Sequence, residues 1–158
     1  MKIVLIKGAI SGIGRETART FAKNNYKVIL CGRREDRLAE LQEELSQRTE
    51  VHTLLFDVRN KKSVSEAIAS LPENFSNIDI LINNAGNAHG LDPIQNGDSD
   101  DWDAMVDINV KGLLYVSKAV IPKMTEQKSG HIINIGSTAA KEVYPNGNVY
   151  CGTKHAVD

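Results

Sequence analysis

The sequence predicts an α/β fold, a parallel sheet covered by helices on both faces. Three observations carry this. Five short runs rich in Val, Ile and Leu recur along the 158 residues. The stretches between them place apolar residues at helical spacing. The runs are nearly continuous rather than alternating, the pattern of strands buried on both faces. Strands alternating with helices, joined by right-handed crossovers, give a doubly wound sheet.

The elements follow in order. Residues 2–6 form a β-branched first strand. Residues 13–23 form a helix with Ile13, Thr17, Ala18, Phe21 and Ala22 at helical spacing, closed by Asn24 and Asn25. Strand two is 27–31. An amphipathic helix over 35–47 carries Leu38, Leu41 and Leu45. Strand three is 51–56, and 63–70 is a short helix with Ser63 as its cap. Strand four is 78–82. The polar stretch 87–101 reads as a loop. Two helices, 99–106 and 110–123, precede strand five at 131–135. A last helix starts at Asn148. No repeat, linker or low-complexity tract divides the chain, so 1–158 is expected to be one domain.

Composition excludes several classes. The chain is 41% hydrophobic and 25% charged, as in ordinary globular proteins. Its formal net charge is −1, so no bulk attraction to nucleic acid or to a membrane surface is expected. The apolar runs are too short to span a bilayer. Lys7 interrupts the N-terminal run and no small-residue cleavage site follows, so a first strand is expected rather than a signal peptide. Cys31 and Cys151 lack metal-ligand spacing and read as two reduced thiols in a cytoplasmic protein.

Two motifs carry chemistry. Gly8-Ala9-Ile10-Ser11-Gly12-Ile13-Gly14 lies between strand one and helix one. Gly8 allows a sharp turn, Gly12 lets a pyrophosphate approach the backbone, and Gly14 allows close helix packing. The helix behind offers free N–H groups and a positive dipole end. The spacing is Gly-x-x-x-Gly-x-Gly, and such a turn can also be purely structural. At the other end, Tyr150 and Lys154 are four residues apart and share one helix face. An ammonium beside a phenol favours the phenolate and makes the pair a usable acid–base near neutral pH. Alone, that spacing also describes many solvated helix faces. Here it follows Ser137 by thirteen residues, and Ser137 ends an apolar run.

Taken together, these motifs resemble the short-chain dehydrogenase/reductase family over essentially the whole chain. The family uses this glycine spacing, in which Gly8, Ile10, Ser11, Gly12, Ile13 and Gly14 face the cofactor. Asp57-Val58 matches its adenine-contacting pair. Asn83-Asn84-Ala85-Gly86 matches its strand-four turn, with Asn84, Ala85 and Gly86 under the nicotinamide half of the cofactor. Asn109, Ser137, Tyr150 and Lys154 match its catalytic tetrad. The segment 130–154 is most similar to NADP-dependent 3-hydroxy acid dehydrogenases, which oxidise serine- and allo-threonine-like substrates.

The resemblance implies roles. Tyr150 would give a proton to a carbonyl oxygen, or take it back in oxidation. Lys154 would assist Tyr150 and hydrogen-bond the nicotinamide ribose. Ser137 would hold the substrate oxygen, and Asn109 a water linking Lys154 to solvent. Arg33, nineteen positions after Gly14, and Arg34 stand where an arginine accommodates a 2′-phosphate, which favours NADP over NAD. The alternative is a solvated charge cluster of Arg33 and Arg34 with Glu35 and Asp36. No metal is implied. A small carbonyl or hydroxy-acid substrate and a homodimer or homotetramer are expected of the complete enzyme.

Two positions depart from the family pattern. Lys7 stands where a threonine is usual, and Ile10 where a serine is frequent. A lysine ending a buried strand must snorkel to water or find a partner. Family members also continue past Lys154 with at least two more strands and a substrate lobe. The C-terminal strands of the sheet are therefore expected to be missing, with strand five left as an edge. An inactive NADP-binding fragment is the alternative reading.

Overall fold

A computed structural model describes residues 1–158. β1 (Ile3–Lys7) sits at the centre of a five-stranded parallel sheet ordered β3-β2-β1-β4-β5. β2 (Lys27–Gly32) and β3 (Val51–Leu55) lie to one side, β4 (Ile80–Asn83) and β5 (His131–Asn134) to the other. The strand order therefore reverses between β1 and β4. In open α/β sheets the crevice at such a switch point, beyond the strands' carboxyl ends, takes the ligand.

All five β1 side chains are buried, because both sheet faces are covered. Ile3 and Leu5 join one apolar cluster with Ile29, Leu81, Val116 and Val120. Val4 and Ile6 point the other way, to Val28, Leu30, Ala18 and Leu41. Each such side chain contributes roughly 1.5–3 kcal/mol on full burial. The helices on the second face are α1 (Gly12–Lys23) and α2 (Glu35–Ser46), tied on their outer side by Arg19 to Glu44 at 2.7 Å. α3 (Lys61–Ala69) and α5 (Gly112–Gln127) cover the first face.

Several boundaries differ from the sequence expectations. β1 runs through Lys7, because Lys7 pairs in register with both Cys31 and Asn83. β4 starts at Ile80, where pairing with Val4 begins. The cap of α3 is Asn60, not Ser63; its Oδ1 accepts from the N–H groups of Lys62 and Ser63 at 3.1 and 3.0 Å. The stretch 87–101 is not all loop: 94–96 form a 3₁₀ turn and α4 (Ser99–Val106) begins within it, capped by Asp98. The two helices expected at 99–106 and 110–123 are one continuous rod. A π-helical segment, Asp107–Lys111, joins α4 to α5, and α5 continues past Pro122 to Gln127. It ends on Lys128 with φ 53°, a left-handed lysine that gives no sequence stop signal. The last helix, α6 (Asn148–Val157), starts where expected. β5 is an edge strand, paired only with β4 and half exposed, also as expected.

Candidate active site

The glycine turn is shaped by contacts that leave no room for a side chain. Gly8 has φ +76°, and a Cβ there would lie 2.8 Å from Cα of Ala85. A Cβ on Gly14 would lie 2.0 Å from the Gly8 carbonyl oxygen. Asn84 Nδ2 donates to that same oxygen at 2.9 Å, so the β4 turn and the glycine turn are stitched together. Gly12 is different. Its φ is +51°, and nothing lies within 4 Å of a Cβ built on it. That open space faces the start of α1, whose cap Ser11 spends no side-chain bond on the helix and whose first turn has no acid. Free N–H groups, a positive dipole end and open space suit an anion.

A cavity of about 720 Å³ opens over this turn at the switch point. Gly8, Ile10, Ser11, Gly12 and Ile13 line one end, with Arg33, Arg34 and Val58 beside them. Asn84, Ala85, Gly86, Tyr150 and Lys154 line the other. Its charged groups are Lys7, Arg33, Arg34 and Lys154; no carboxylate lines it. Gly14 is buried behind the turn. Asp57 stands outside, in a shallow depression with Arg59 and Tyr115. Arg59 Nη2 reaches Asp57 at 2.6 Å and holds its carboxyl below the usual carboxylate range. Arg33 pairs with the same carboxylate at 3.6 Å, not with Glu35 or Asp36.

Tyr150 and Lys154 share one face of α6. Lys154 Nζ sits 5.9 Å from the Tyr150 ring centroid and donates to the Ile135 carbonyl at 3.1 Å. Lys154 is 6% exposed. Asn109 lies in the π segment, 2% exposed, just behind it. Its Nδ2 donates to the Asn87 carbonyl at 2.9 Å and to Thr153 Oγ1 at 3.0 Å, and its Oδ1 accepts from the Asn87 N–H at 2.9 Å. A Cβ on Gly86 would lie 3.3 Å from both Asn109 Oδ1 and Lys154 Nζ. Asn109 thus clamps the β4 turn to α6. Ser137, half-buried, does not line the cavity, although neighbouring Gly136 does. Its Oγ accepts from the Ala139 N–H at 3.2 Å, which leaves the hydroxyl proton free to donate.

Sequence reasoning missed three participants. Thr153 and Asn87 are the partners of Asn109, and only the fold brings them together. Arg59 neutralises Asp57 from two residues away, a local Asx-type pairing that Asp-Val-Arg could have signalled. Lys7 neither snorkels nor finds an acid. It is 0% exposed, and its Nζ donates only to the Ile108 carbonyl at 3.3 Å. Burial, with Lys154 nearby, lowers its pKa to about 7.

A switch-point cavity over a glycine turn is the architecture of Rossmann-type α/β proteins. The chain belongs to the short chain dehydrogenase family, whose model matches residues 2–158. It is 49% identical over 152 residues to the NADP-dependent 3-hydroxy acid dehydrogenase YdfG of Escherichia coli K12, covering 96% of this chain and 60% of that protein. It is 50% identical over 153 residues to sulfoacetaldehyde reductase 2 of Chromohalobacter salexigens, covering 96% and 61%. A closed form of serine dehydrogenase complexed with NADP⁺ superimposes with a TM-score of 0.92 at 48% identity, over 98% of this chain and 62% of that one. The chain thus spans about 60% of the length of the curated relatives it matches. No helix is long and apolar enough to cross a membrane.

Proposed function

We propose that residues 1–158 form one dinucleotide-binding domain of an NADP-dependent oxidoreductase acting on a carbonyl or secondary alcohol, with 3-hydroxy acids the favoured substrate class. The observation that carries this is the placement of Tyr150 and Lys154, on one helix face, at the mouth of a cavity whose charged groups are all cationic. The residues present fit the cofactor: open space at Gly12, an acid-free helix start and the cations Arg33, Arg34 and Lys154 suit its phosphates. Arg33 and Arg34 would hold the 2′-phosphate, the turn from Gly8 to Gly14 the pyrophosphate, and Val58 and Asp57 the adenine end. Asn84, Ala85, Gly86 and Lys154 would hold the nicotinamide half.

Once bound, the nicotinamide supplies or accepts the hydride. The protein supplies the rest. Tyr150 gives its phenolic proton to the substrate oxygen in reduction and takes one in oxidation. The Ser137 hydroxyl donates to the same oxygen, where negative charge develops. Lys154 stabilises the phenolate left on Tyr150. Asn109 keeps α6 and the β4 turn in register, so that proton donor and ribose ligand keep their spacing. Tyr150→Phe tests the assignment. It retains the ring and removes the proton, so turnover should fall by about two to four orders of magnitude while NADPH binding persists. Near-full activity in that variant sinks the reading.

Two buried free thiols, Cys31 and Cys151, support a reducing, cytoplasmic setting. The outer face of α5 exposes Leu114 and Ile121, which supports self-association into a homodimer or homotetramer through this helix. Nucleic acid and membrane are not among the proposed partners. One observation favours a second reading, an NADP-binding unit without turnover: β5 pairs only with β4, and its outer edge is open.

A further inference from the structure

The dinucleotide cavity contains a cation whose surroundings make its charge conditional. Lys7 is wholly buried at the end of β1, and its Nζ has only the Ile108 carbonyl as a partner. Every element around it fails to supply an acid. Its register partner on β2 is Cys31, whose thiol burial pushes up and keeps neutral. Its partner on β4 is Asn83, a neutral amide. From α6 come the Lys154 ammonium and the Tyr150 phenol. In the π segment, Asp107 is committed to Lys111 at 2.8 Å. Arg33 and Arg34 add positive charge at the far end of the same cavity.

We propose that Lys7 couples dinucleotide binding to the uptake of a proton. The proposal rests on the reading of the cavity as an NADP site. In the free protein, burial and the Lys154 charge disfavour the ammonium form, and Lys7 titrates at about 7. A dinucleotide brings phosphate charge into a cavity that has no carboxylate of its own. The ligand removes little direct hydration from Lys7, because the side chain is already 0% exposed. What the ligand changes is the charge balance, and added negative charge favours the ammonium. The sign follows. Binding is strongest below pH 7, where Lys7 already carries its proton. It weakens as pH rises above 7, by up to tenfold per pH unit for one proton.

The test is calorimetric titration of the protein with NADPH at pH 7 and pH 8, each in two buffers of different ionisation enthalpy. The dependence of the heat on the buffer reports protons exchanged. The expected result is net proton uptake, up to about half a proton per site at pH 7 and up to nearly one at pH 8. Lys7→Met should still bind NADPH but lose that uptake. Lys7→Arg, permanently charged, should lose it too and provides a second variant if methionine destabilises the fold. Repeating the wild-type titration with NADH separates Lys7 from the ionisation of the 2′-phosphate, and the Lys7-dependent uptake should remain. NADPH binding without uptake in the wild type, or unchanged uptake in Lys7→Met, overturns the proposal. A melting temperature that moves in Lys7→Met while uptake stays shows that Lys7 only supports the fold, and overturns it as well. No saturable binding of either nucleotide sinks the dinucleotide reading itself.

Discussion

Arg33 and Asp57 face each other at 3.6 Å across the end of the sheet, and Arg59 reaches the same carboxylate oxygen, Oδ2, at 2.6 Å. A carboxylate beside a 2′-phosphate would repel it. Here Arg59 offsets that charge with two bonds from Nε and one from Nη2, so Arg33 is left to act on a ligand. The pairing predicts the effect of one substitution. Arg33→Asp removes a charge-assisted contact and adds repulsion, each worth roughly 1.5–3 kcal/mol. NADPH affinity should fall by at least about tenfold and the preference should turn to NADH. Fluorescence titration of both nucleotides against wild type and variant reads this, and an unchanged preference removes Arg33 from the phosphate site. Arg33 itself was legible in the sequence, by its distance from Gly14. Arg59 was not legible as part of the site, because its effect passes through Asp57.

The glycine turn shows how one short element can carry two unlike demands. Gly14 is glycine for packing, since a Cβ there would overlap the Gly8 carbonyl. Gly12 is glycine for conformation and access, with φ +51° and open space around it. Substituting each by alanine should therefore fail in different ways. Gly14→Ala overpacks the junction of β1 and α1, at a cost of about 1–3 kcal/mol or more. Its melting temperature should drop by roughly 2–4 °C for each kcal/mol lost. Gly12→Ala strains one residue by about 1–2 kcal/mol and places a methyl group where a phosphate would approach. It should fold and bind NADPH poorly. Thermal melts and NADPH titrations of both variants check this, and a Gly14→Ala protein as stable as wild type contradicts the packing argument. The glycine spacing was legible as a motif. The division of labour within it needed coordinates, because only the folded turn brings Ala85 and Asn84 against Gly8. The π segment was invisible for a similar reason. Asp107–Lys111 reads as ordinary helix, and Asn109 is pulled into place by Asn87 and Thr153, far away in the chain.

At the scale of the molecule, α6 is anchored from within. Lys154 bonds to Ile135, Thr153 to Asn109, and Lys141 to Asp158. A helix as short as α6 is marginal alone in water, and these contacts are what hold Tyr150 and Lys154 together. The β5 edge has no such cover. The chain spans about 60% of its relatives' length. The 158-residue chain should therefore bind NADPH yet show no measurable turnover with a reactive 3-oxo acid. A chimera that adds the remaining segment of the Escherichia coli relative should turn over. Assaying both lengths side by side decides it; equal turnover would mean that the anchors of α6 suffice.

The class of sheet, the order of its elements and the positions of the chemical motifs were legible in the sequence. These are written in local patterns: apolar runs for doubly covered strands, 3.6-residue periodicity for helices, fixed spacing for Tyr150 and Lys154. Which residues meet was set by the packing of the folded chain. It seated Lys7 in the core without an acid, joined α4 to α5 through a π segment, and set Asn109 between two elements. Those outcomes depend on packing and on long-range hydrogen bonds. Residues that meet in this way are 22, 44 and 101 positions apart, and no local pattern records such pairings.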